Sequence, residues 1–143
     1  MKRAVIVVGS HRAGKSKTIN KYLKPRLKIR SRAHKFTLDG ASGKVLSQSR
    51  EEAAGKSGFV RSQSLEESRR TSADVLRLVE TNTRFDRLVL AARPSHERLS
   101  FLTLLKSVLR KNQYRVFLVR VAPNRRERFY VERALEILRH LSS

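Results

Sequence analysis

Apolar positions along the chain change their period several times, and each change marks an element. Residues 4–8, Ala-Val-Ile-Val-Val, form a continuous β-branched run bounded by Gly9. Such a run reads as a strand buried on both faces, hence a central parallel strand. From Gly14 the spacing becomes helical, with Ile19, Tyr22 and Leu23 on one face, and Pro25 closes that pattern. Phe36 to Leu38, the Asp39-Gly40 turn signal, Gly43 and Val45-Leu46 predict a strand pair. Further on, 88–92 reads as a strand, and Ser95 is placed to cap a helix carrying Leu99, Leu102, Leu105 and Leu109 as a core stripe. The run 116–121 reads as a strand, and Asn124 is placed to cap a last helix through Val131, Leu135 and Leu138.

An internal repeat interrupts this alternation. Gly43-Lys-Val-Leu-Ser-Gln-Ser-Arg-Glu-Glu52 aligns with Gly58-Phe-Val-Arg-Ser-Gln-Ser-Leu-Glu-Glu67. Each copy passes from short strand character into Ser-x-x-Glu, the pattern of a capping box, so helices are expected to start at Ser49 and Ser64, the second continuing to about Thr81. The chain then reads as βα, a two-strand insertion, and α, β, α, β, α. That order predicts one α/β domain over 1–143, a three-layer arrangement of a mostly parallel sheet with helices on both faces, and the Ser/Gln/Glu repeat inserted at 39–67. Ligands of such folds bind at the carboxyl ends of the strands.

Composition narrows the chemistry. The absence of cysteine removes disulfides, thiolate metal sites and cysteine nucleophiles, and four scattered histidines are a poor basis for zinc. No apolar stretch approaches a membrane span, which makes a cytoplasmic protein the expectation. Charge is the unusual quantity: 33 Lys and Arg against 12 Asp and Glu leave a net of +21. Residues 1–38 hold 12 basic side chains and no acid, 39–82 hold seven of each, and 83–143 hold 14 against 5. Two basic flanks around a neutral middle suit an anionic partner, either phosphates, a nucleic acid or another polyanion. A membrane surface fits less well, because no strongly amphipathic terminal helix is present.

The sharpest feature is Gly9-Ser-His-Arg-Ala-Gly14-Lys15-Ser16, a complete G-x-x-x-x-G-K-[ST] between a buried strand and a helix. Glycines let backbone amides curl around a phosphate, the helix N-terminus adds its positive dipole end, Lys15 reaches the outer phosphates, and Ser16 offers a hydroxyl to Mg²⁺. On these residues the chain resembles the P-loop NTPase superfamily, and in size and βα alternation its small kinases and ATPases. The resemblance implies ATP or GTP with Mg²⁺, bound by Gly9, Ser10, His11, Arg12, Ala13, Gly14, Lys15, Ser16 and Lys17. It further implies phosphoryl transfer to an anionic acceptor, with Lys15 in the catalytic set. No N-K-x-D base-reading motif is found, which favours ATP. A binding module with a regulatory nucleotide, associated with nucleic acid, is the alternative.

One departure stands out. Members of that superfamily end a neighbouring strand with an Asp that holds Mg²⁺, whereas 88–92 is followed here by Arg93 and 116–121 by Ala122-Pro123. Asp39 and the Glu pairs after each Ser-Gln-Ser are the remaining candidates, so the expected metal residues are Ser16 and Asp39. Arg93, Arg125 and Arg126 lie just beyond strands and are the expected catalytic cations. Gln48 and Gln63, which capping does not explain, are candidates for substrate contact.

Overall fold

The computed structural model of the chain describes residues 2–46, 56–67 and 70–142. Six strands form one sheet in the order β3-β2-β4-β5-β1-β6. They are β1 (Lys2–Val8), β2 (Lys35–Leu38), β3 (Val45–Leu46), β4 (Lys56–Val60), β5 (Arg87–Ala92) and β6 (Tyr114–Arg120). The β-branched run of β1 lies in the middle of the parallel part, Val5 facing Val89 on one side and Phe117 on the other. β4, β5, β1 and β6 run parallel, while β2 is antiparallel to both β3 and β4. The sheet is therefore mixed but mostly parallel, as the alternation of elements predicts.

Helices cover both faces. Val5, Val7, Val89 and Val119 pack against a π-helical stretch, Lys17–Leu23, its continuation α1 (Lys24–Arg26), and α4 (Glu127–Ser142). Ala4, Ile6, Val8 and Leu90 pack on α2 (Ser72–Thr81) and α3 (Leu102–Lys111). Successive residues of β1 thus feed opposite cores, which is why every position from Ala4 to Val8 must be apolar. No helix among the described residues is long and apolar enough to cross a membrane.

The structure departs from the sequence pattern in three places. The second repeat copy supplies β4, which is seated between β2 and β5, so the repeat is built into the sheet instead of appended to it. The helix expected from Ser64 is only a turn at 65–67. Ser64 Oγ does accept the Glu67 amide at 3.4 Å, but α2 begins at Ser72 under a different capping box, Thr71 with Asp74. The first copy's helix start, Ser49, and its Gln48 fall outside the described residues. Finally, 95–101 is a loop: Glu66 Oε2 takes the amides of Arg93 and Phe101 at 3.0 and 2.9 Å and closes the segment on itself. Leu99 consequently sits at φ 64° and is 75% exposed, whereas Leu102, Leu105 and Leu109 occupy the core as expected.

The basic segment that follows the π stretch is not simply a solvated arm. Leu27 and Ile29 are buried, and Lys24 is buried beside them with Nζ donating to Ser31 O at 2.6 Å. Burial pushes the Lys24 ammonium below its ordinary range.

Candidate functional site

The loop 9–16 leaves β1 at the carboxyl end of the parallel strands and returns into the helical turns of the π stretch. Gly9 N donates to Ala92 O and Val121 N to Val8 O, so the loop's start is held by the ends of both neighbouring strands. Gly14 is required twice over. Its φ is +100°, and a Cβ placed there would lie 2.4 Å from the Tyr130 ring. Tyr130, in the first turn of α4, is itself fixed by accepting Asn124 N at 2.9 Å. Thr18 then closes the first turn after the loop, with N and Oγ1 both donating to Gly14 O.

These elements enclose a cavity of about 380 Å³ lined by residues 12–17, Glu67 and Tyr130, a size typical of small-molecule sites. Lys15 is 3% exposed, far more buried than a lysine in a solvent-side loop. Its ammonium donates to Gly9 O at 2.5 Å and to Ser10 O at 3.0 Å, and lies 3.2 Å from Glu67 Oε1. His11 Nδ1 is 3.7 Å from the same oxygen. Burial alone would raise the Glu67 carboxyl, but the Lys15 charge and hydrogen bond outweigh it and hold the group below the usual range. Arg12, Lys15 and Lys17 line this cavity; Lys15 meets Glu67 and Lys17 meets Glu127, which leaves a net positive charge to favour an anion.

Glutamates bind the surrounding loops together. Glu66 fastens the 93–101 loop as described above, Ser10 Oγ donates to Glu97 Oε1 of that loop, and Glu67 reaches Lys15. On the other side Glu127, at the start of α4, accepts Lys17 Nζ at 2.6 Å and the Tyr22 hydroxyl. Hydrogen bonding to Glu127 raises both Lys17 and Tyr22 and lowers the carboxyl itself. Lys17 also lies 4.9 Å from the Tyr130 ring centre, a cation–π contact.

The expected site residues are distributed unevenly. Arg12, Ala13, Gly14, Lys15, Ser16 and Lys17 line the cavity; Gly9 and Ser10 face a neighbouring depression of about 280 Å³ with His96 and Pro123. Asp39 is not near Ser16. β2 is antiparallel to β4, and Leu38 pairs with Lys56 at the start of β4, so Asp39 leaves the sheet at its opposite end. Its carboxylate serves the turn, accepting Ser42 N at 2.9 Å and Ser42 Oγ at 2.5 Å, and these bonds hold it below the ordinary range. Arg93 is anchored by its amide to Glu66 and is not on the cavity wall. Arg125 and Arg126 are exposed, and Arg126 lines a separate depression with Arg128 and Glu132. Gln63 is exposed and lines a narrow crevice on the α2 and α3 side.

Tyr130 and Glu127 had no signal in the sequence beyond their shared face of a helix; Glu67 was one of four repeat glutamates with nothing to single it out. Comparison with known proteins finds no match for this chain among protein-family models, curated proteins or solved structures.

Proposed function

We propose that the loop 9–16 binds the phosphates of a nucleoside triphosphate, ATP in preference to GTP, and that the chain is an ATP-dependent kinase or ATPase of P-loop type. The observation that carries this reading is the buried Lys15 ammonium beside Gly14, at the N-terminal end of a helix, on a cation-rich cavity at the carboxyl end of β1. Backbone amides of the loop would cradle the inner phosphates, and Lys15, released from Glu67, would bridge the outer ones. Arg12 and Lys17 add neutralising charge, which is most of what phosphoryl transfer asks of a protein.

The donor set suits Mg²⁺ in its sparing form. Ser16 and Glu67 line the same cavity, and their hydroxyl and carboxylate would be the protein's share of its ligands. Mg²⁺ is commonly held by one or two protein oxygens together with phosphate and water. When bound, it would neutralise charge on the phosphate oxygens. Ser16 is positioned by Ser62 O, 3.5 Å from its Oγ, and Glu67 by the Ser64 turn.

Calorimetric titration with ATP, with and without Mg²⁺, followed by analysis of products, tests the reading. Binding that Lys15→Ala weakens at least tenfold supports it. Equal binding by parent and variant overturns it.

A further inference from the structure

The turn 61–67 separates the cavity just described from a second region on the other face of the sheet. Ser62 and Glu67 face the loop 9–16, whereas Arg61 and Leu65 point towards α2. There, Arg61, Arg70 and Arg77 line a depression of about 220 Å³ whose apolar wall is Leu65 and Leu78. Asp74 is the one acid on it among the described residues, and its Oδ2 already serves the α2 capping box, taking Thr71 N at 2.7 Å and Thr71 Oγ1 at 2.9 Å. Its Oδ1 is 3.9 Å from Arg77, whose side chain is 75% exposed. Arg61 is half-buried, donates Nε to Gln63 O at 2.9 Å, and is close enough to Arg70 to feel its charge.

Three guanidinium groups line one hollow with Asp74, the one acid among the described residues there, facing Arg70 and Arg77, so the hollow keeps a net positive charge in the free protein. A dianion bound among them offsets that charge, and guanidinium forks match its oxygens pairwise. We propose that Arg61, Arg70 and Arg77 form a second anion site, distinct from the loop 9–16, that takes a phosphate dianion, with Leu65 and Leu78 placed to contact a carbon-bearing group attached to it. The site does not depend on what the loop binds.

Phosphorus NMR titration of the full chain at low ionic strength, carried out in the Lys15→Ala background to silence the loop, tests this with inorganic phosphate and phenyl phosphate. Saturable binding of phosphate is expected, weakened at least fivefold by Arg61→Gln and by Arg70→Gln. Arg77→Gln, on an exposed side chain that does not support the fold, should weaken it by a smaller factor. Arg128→Gln, an exposed arginine on α4 with the same charge change, should leave it unaltered. Phenyl phosphate binding at least threefold tighter than inorganic phosphate identifies an organic phosphate ester as the ligand; equal affinity identifies free phosphate. Unsaturable binding, no change on Arg70→Gln and Arg77→Gln, or an equal loss on Arg128→Gln overturns the site and leaves only general surface charge.

Discussion

The two ends of the parallel sheet use the same kinds of residue for different purposes. At the amino end, polar groups are tied to backbone. Arg87 is 2% exposed and donates Nε to Leu141 O at 2.7 Å; Tyr114 donates to Phe85 O at 2.5 Å and lies 3.1 Å from Asn82 O; Lys2 donates to Thr83 O at 2.7 Å. Asp39 serves its own turn there. At the carboxyl end, Lys15, Arg12, Lys17 and Glu67 are arranged around open space. A charge bonded to carbonyls of distant elements fixes the fold, whereas charges that share a cavity keep the capacity to exchange partners. The contrast shows why composition alone does not separate structural from functional cations in a chain of +21.

Breaking the carboxyl end through its backbone should have the largest effect. Gly14→Ala forces a Cβ against the Tyr130 ring and strains a left-handed residue, and should cost about 2–5 kcal/mol in urea denaturation as well as ATP binding. The amino end should respond to pH. Burial raises the Tyr114 phenol from 10.0 to about 12, so its contribution is complete below pH 10 and lost as pH rises through that interval. A two-unit difference corresponds to about 2–3 kcal/mol. Stability measured from pH 9 to 12 should fall more steeply for the parent than for Tyr114→Phe, and parallel curves would refute the assignment.

Lys15→Ala tests both purposes at one residue. It should weaken ATP binding at least tenfold, about 1.4 kcal/mol, and lower stability by leaving Glu67 half-buried without its partner. Adding Glu67→Gln should recover stability but not binding, and recovery of both would show that Lys15 acts only as a structural counter-ion. The smallest effect is expected for Asp39→Asn. The turn accepts either residue, so ATP binding and any Mg²⁺-dependent turnover should remain unchanged and stability should move by no more than about 0.5 kcal/mol.

Much of the scaffold could be read from local pattern, because the determinants of its elements are neighbours in sequence. The run 4–8 needs two apolar faces, and the spacing of Leu102, Leu105 and Leu109 describes one helix face. The same reasoning failed at Leu99 and after Ser64. There the local preference for helix lost to Glu66, which reaches amides 27 and 35 residues away. Capping energy of about 1 kcal/mol is easily exceeded by two charge-assisted bonds made at once. Asp39 failed for a topological reason: a strand-end acid is useful only if its strand points the right way, and β2 points the other way.

The amino-acid sequence by itself determined the central strand, the eight-residue loop with its two glycines, the sign and amount of the charge, and an α/β order of elements. Each of these is a property of adjacent residues or of a sum. Tertiary structure alone decided which charges share a space. Glu67 rather than Asp39 meets Lys15, Tyr130 sets the clearance at Gly14, and Glu127 clamps Tyr22 and Lys17 across 105 and 110 residues. Coulomb interactions depend on distance through space, and strand direction and chain crossings set that distance.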